Sequence, residues 1–129
     1  MKVLIVLFLL FFLLFVGTPS FACTLEGKWK SHKTKTLAEL YGSKVSNNQK
    51  LTLAKVFGKA IIEYSNCDTM VIYMNGGKTE HKFQTIEDSK SAVIIKDLAT
   101  EEMTMFVKNG NCYKAPVKGM AFYGHYCKL

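Results

Sequence analysis

From Lys59 to Cys127 the chain runs as a succession of short segments rich in β-branched and aromatic residues, each closed by a turn signal. This rhythm predicts strands at Lys59–Ser65, Thr69–Met74, Thr79–Ile86, Ser91–Lys96, Met103–Lys108, Cys112–Pro116 and Ala121–Cys127. The turns between them have a mechanism. Asn75-Gly76 and Asn109-Gly110 suit the positive φ of type I′ hairpins, and Lys118-Gly119 closes the last link. Links this tight make neighbours antiparallel. A further strand at Leu25–Ser31 carries the single Trp, Trp29. An open sheet would leave unpaired edges, and about eight short strands is the number that closes into a small barrel holding its own side chains or one small ligand. The expected fold is therefore mainly β, a small antiparallel barrel of about eight strands.

Between the first strand and the meander the pattern becomes helical. Thr36-Leu37-Ala38-Glu39 reads as a capping box that starts a helix through Leu37, Leu40 and Tyr41, with Gly42 as its stop. Ser46-Asn47-Asn48-Gln49 reads as a second box, opening a helix with Leu51, Leu53, Ala54, Val56 and Phe57 near helical spacing and Gly58 at its end. Two short helices thus stand between the first and second strands. Leu51, Ala54 and Phe57 need an apolar surface, and the one a small barrel offers is an open end, so the pair is expected to act as a lid.

Ahead of the folded region, Lys2 is followed by an uninterrupted apolar run from Val3 to Val16, then Gly17, Pro19 and the small-residue site Ser20-Phe21-Ala22. This is the pattern of a secretory signal peptide, and fourteen apolar residues fall short of the ~20 that a membrane-crossing helix needs. Residues 1–22 are assigned to the signal peptide and 23–129 to the barrel domain, periplasmic or secreted. Cleavage after Ala22 would leave Cys23 first, which raises a lipid-anchored outer-membrane alternative, although Ser20 stands where a lipoprotein site carries an aliphatic residue.

Four Cys in an exported chain of this size read as two disulfides, each worth ~2 to 4 kcal/mol. Counting strand directions places Cys23, Cys67, Cys112 and Cys127 at one end of the barrel. Neighbouring terminal strands then suggest Cys23 with Cys127, leaving Cys67 with Cys112.

Gly27-Lys28-Trp29 on a first strand, followed by two helices and an aromatic-ended meander, resembles the lipocalin and fatty-acid-binding (calycin) plan. Leu25-Glu26-Gly27-Lys28-Trp29-Lys30-Ser31, Lys35-Thr36-Leu37-Ala38-Glu39-Leu40 and Phe57-Gly58-Lys59 leading into Ile62-Glu63-Tyr64 resemble a group of small exported bacterial lipocalin-like proteins of unassigned function. The resemblance implies that Trp29 packs across one end of the barrel and that Gly27 lets the chain pass closely. Fatty-acid binders of this plan hold the carboxylate with Arg, and this chain contains none, its basic residues being Lys and His.

The function expected from these features is a non-enzymatic binding module for a small apolar or amphipathic ligand or an envelope partner, acting as a monomer without a cofactor. Period-two faces place Ile62 and Tyr64, Met70, Ile72 and Met74, Phe83, Ala92 and Ile94, Met103 and Met105, and Ala121 and Tyr123 each on one side of their strand. The candidate ligand contacts drawn from them and from the lid are Phe57, Ile62, Tyr64, Ile72, Phe83, Ile94, Met105 and Tyr123. The alternative is a structural or inhibitory domain with a filled barrel, acting through its lysine surface, in a chain whose formal net charge is +7. Lys28, Lys30, Lys33 and Lys35 around Trp29 and His32 would give it weak attraction to an anionic membrane surface.

Other chemistries have weaker signals. Met103-x-Met105 with His81 or His125 has the donor types of a Cu(I) site, but Met also fills core gaps, and strand period beside Met70 and Met74 already accounts for them. Cys112 with His125 has the types of a nucleophile and base, yet an oxidising compartment favours a disulfide there. No catalytic, phosphate-loop or dinucleotide fingerprint occurs, and export disfavours nucleic acid as a partner.

Overall fold

The computed structural model describes residues 23–129. The expected signal peptide and its cleavage site lie outside the described residues. Strand β1 (Gly27–Ser31) leads into helices α1 (Lys33–Tyr41) and α2 (Asn47–Ala54). The meander then runs through β2 (Ile61–Ser65), β3 (Thr69–Met74), β4 (Gly77–Asp88), β5 (Ala92–Asp97), β6 (Met103–Asn109), β7 (Cys112–Pro116) and β8 (Tyr123–Lys128). Each strand pairs with the next, and β1 pairs antiparallel with β8 through Trp29–Lys128, Lys30–Cys127 and Ser31–Tyr126, so the barrel is closed. Closure satisfies the edge groups that an open meander would leave bare.

The tight hairpins explain the register. Asn75 (φ 53°) and Gly76 (φ 76°) both take positive φ between the paired residues Met74 and Gly77, as a type I′ turn requires. The β6–β7 turn sits one residue later than expected: Asn109 pairs with Cys112, and Gly110 (φ 61°) with Asn111 forms the loop. In β4 the pairing with β5 slips between Thr85 and Glu87, a bulge at Ile86 that lets a twelve-residue strand bend around the barrel.

Helix α1 begins earlier than its sequence predicts. His32 is the N-cap, its Nδ1 accepting from the N–H of Lys35, and Thr36 lies inside the helix. The Thr36 hydroxyl is needed elsewhere: it accepts from the N–H of His125 at 2.9 Å and reaches the His125 carbonyl. Just beyond β1 the His32 N–H still donates to the His125 carbonyl at 2.7 Å, and Thr36 satisfies the His125 N–H on the same residue of β8. Thr36 and Leu40 are wholly buried against the barrel. Helix α2 has the expected cap, Ser46 accepting from the N–H of Gln49, but it buries no residue and Leu51 is 63% exposed. The lid expectation is corrected accordingly. Its sequence NNQKLTLA carries too narrow an apolar stripe to seat on the barrel, and only Phe57, beyond its end, reaches the interior wall.

Inside, Leu25, Trp29, Ile62, Tyr64, Phe83, Val93, Ile95, Phe106, Tyr113 and Ala115 form one buried cluster. The rings meet edge to face, Trp29 with Tyr113 at 4.9 Å and Phe106 with Tyr113 at 5.1 Å, while Tyr126 stacks on Tyr113 at 5.3 Å.

Candidate functional site

One end of the barrel is shut by the segment that precedes β1. Leu25 plugs it, and its carbonyl accepts from Nε1 of the buried Trp29 at 2.8 Å. Gly27 has φ +117°, and a Cβ there would press on the Lys128 side chain at 3.3 Å. The Glu26 carboxylate accepts from the N–H groups of Asn66 and Cys67, two residues that the β2–β3 turn holds at positive φ. Thr24 donates its N–H and its hydroxyl to Asp88, whose carboxylate also meets Lys108 at 3.0 Å. Burial alone would push the Asp88 carboxyl up, but the Thr24 donors and the Lys108 ammonium outweigh it and hold the group below the usual carboxylate range.

Two disulfides belong to this end, and their pairing corrects the expected one. Cys23 is bonded to Cys67 and Cys112 to Cys127. The four do share one end, but the partner of Cys127 across β1 is Lys30, while Cys112 lies directly opposite Cys127 in the β7–β8 register with Cα atoms 4.0 Å apart. Cys23, four residues ahead of β1, instead folds over the β2–β3 turn. The Cys23 sulfur that a lipid anchor would use is therefore engaged, and no cysteine among the described residues is free. Two bonds of this kind are consistent with an oxidising compartment.

The other end opens between the 98–102 and 117–122 connections into a cavity of about 550 Å³. Its walls are Phe57, Ile62, Met70, Ile72, Phe83, Ile95 and Phe106, with Tyr64, Tyr113 and Tyr126 deeper. Polar groups gather at the rim. Asp97 faces His81 at 4.0 Å, and Lys118 pairs with Glu102 at 3.2 Å. The N–H groups of Thr100 and Ala99 hold the Asp97 carboxyl below its ordinary range. A broader groove, more open than the interior cavity, runs along β4 past Ile86 and Leu98 and is flanked by the Cys23–Thr24 segment, the 67–68 turn and Lys108.

Of the expected ligand contacts, Phe57, Ile62, Tyr64, Ile72 and Phe83 line this cavity. Ile94, Met105 and Tyr123 do not; they lie on the outer face, where Met105 is 50% and Tyr123 40% exposed. The inward residues of those strands are Val93 and Ile95, Thr104 and Phe106, and Tyr126, with Phe122 buried just ahead of β8. Strand β5 carries Ala92-Val93-Ile94-Ile95, apolar on both faces, so its alternation has no readable phase. Tyr123 and Cys127 share a parity, so a disulfide on the outer face sends Tyr126 inward.

Met103 and Met105 stand outside the wall, 59% and 50% exposed, whereas Met70 and His81 face the cavity. His125 is held by Glu39 at 3.1 Å. The donors of the copper alternative are thus kept apart, and the expected packing of Met103 and Met105 into the core is corrected with it. The one group of metal-ligand type among the described residues, Cys23, Glu26 and Cys67, has both sulfurs in a disulfide. Lys28, Lys30, Lys33 and Lys35 are exposed.

Comparison with protein-family models, curated proteins and solved structures gave no match for this chain.

Proposed function

We propose that the protein is an exported, lipocalin-like binding module, not an enzyme, that takes one small apolar or amphipathic molecule into the barrel. The observation that carries this reading is the cavity of about 550 Å³, apolar in its walls and polar at its rim, in a barrel whose opposite end is shut. Ligand sites of proteins commonly span roughly 300 to 1,000 Å³ and combine apolar walls with a few placed polar groups. The disulfides and the N-terminal apolar run support export.

Titration with N-phenylnaphthylamine, whose fluorescence rises in apolar surroundings, tests it. Saturable binding of one probe per chain is expected, weakened about tenfold by Ile72→Trp, which fills the cavity from the β3 wall. Absence of saturable binding, or unchanged affinity in Ile72→Trp, overturns the reading and favours a filled barrel acting through its lysine surface.

A further inference from the structure

Tyr64 and Tyr113 meet hydroxyl to hydroxyl at 2.8 Å, and each residue is 1% exposed. Two phenols carry two protons, and one hydrogen bond between them uses one. Among the described residues neither hydroxyl has another hydrogen-bond partner, so one O–H donor remains at the floor of the cavity, between Phe83, Phe106 and Trp29. A buried donor without an acceptor is costly, and a ligand atom that accepts it removes that cost.

The floor also restricts which acceptor is welcome. Lys108 is committed to Asp88 at the shut end, and Lys118 to Glu102 at the rim. Lys128 lies over the Trp29 ring, its Nζ 5.5 Å from the centroid, and the lysine that lines the cavity is Lys118 at the rim. Burial pushes both tyrosines well above their ordinary pKa, which shows how strongly these surroundings oppose negative charge. A carboxylate would meet the same opposition, whereas a neutral oxygen brings an acceptor without a charge to desolvate.

We propose that the Tyr64–Tyr113 pair selects ligands that enter with a neutral oxygen acceptor, an ester, ketone or aldehyde carbonyl, and disfavours those that enter with a carboxylate. The proposal rests on the reading of the cavity as the ligand site and adds to it the chemical class of the end that enters first. Either hydroxyl serves as the donor, since each can turn its proton to the other or to the ligand.

Displacement of N-phenylnaphthylamine by methyl octanoate and by octanoate at neutral pH tests it. Methyl octanoate is expected to displace the probe at about tenfold lower concentration, and octanoate to improve as the pH falls towards its own pKa. In the double variant Y64F/Y113F the affinity for methyl octanoate should fall about fivefold or more relative to the variant's own affinity for the probe. Each single variant, retaining one hydroxyl, should keep most of the affinity for the ester. Octanoate competing as well as its ester on the native protein overturns the proposal, and that comparison stands even if the double variant does not fold. Unchanged ester affinity in a folded double variant overturns it as well. Failure of the probe itself to bind is a different result, which removes the cavity reading beneath it.

Discussion

Asp88 and Lys108 lie 3.0 Å apart beneath the N-terminal segment, and Thr24 binds the same carboxylate through both its hydroxyl and its N–H. Three distant parts of the chain are thereby joined at the shut end. Asp88→Asn should lower stability by about 1 kcal/mol, because charge-assisted bonds become neutral ones. The sign of the pH effect follows from the depressed carboxyl. Its contribution is fully present above the unfolded value of about 3.9 and is lost as pH falls through the lower folded value. Denaturant titrations between neutral and strongly acid pH should show this loss in the native protein and a smaller one in Asp88→Asn.

The two disulfides enclose loops of different length, with separations of 44 and 15 residues. Chain-entropy arguments assign about 4 kcal/mol to the longer and about 3 kcal/mol to the shorter. Peptide mapping without reduction should recover Cys23 joined to Cys67 and Cys112 joined to Cys127. Replacing the first pair by Ser should cost the more, as measured by urea unfolding.

Leu40 is wholly buried where α1 meets the barrel, and Leu51 of α2 stands in solvent. Leu40→Ala should therefore cost about 2 to 5 kcal/mol, and Leu51→Ala less than about 0.5 kcal/mol. Similar losses for the two would mean that α2 is seated on an apolar surface after all.

Phe106 and Met105 are neighbours in sequence on opposite sides of the wall, 6% and 50% exposed. Phe106→Ala should destabilise by about 3 to 5 kcal/mol and alter probe binding in the cavity. Met105→Lys should leave both within error, since the side chain already projects into water. The reverse outcome would restore the facing that strand period alone suggests for β6.

The sequence by itself determined the number of strands, their approximate limits, the two helices and the closure into a barrel. Those follow from signals that act over a few residues: Asn75-Gly76 bends because both positions accept positive φ, and Ser46 caps because its oxygen reaches Gln49 N–H. It also placed Ile62, Tyr64 and Phe83 on the inner face, because β2 and the inward half of β4 alternate cleanly, and Ile72 of β3 faces inward with them. Tertiary structure alone decided the facing of β5, β6 and β8, the partners of the four cysteines, and the role of Thr36. Strands with apolar residues on both sides present no phase until closure against their neighbours chooses one. Cysteines grouped at one end present no pairing until register puts Cys112 opposite Cys127. Thr36 was legible as a cap because local chemistry favours it there, but the edge of β8, eighty-nine residues away at His125, claimed its hydroxyl first. Such contacts join residues far apart in the chain, and no local pattern records them.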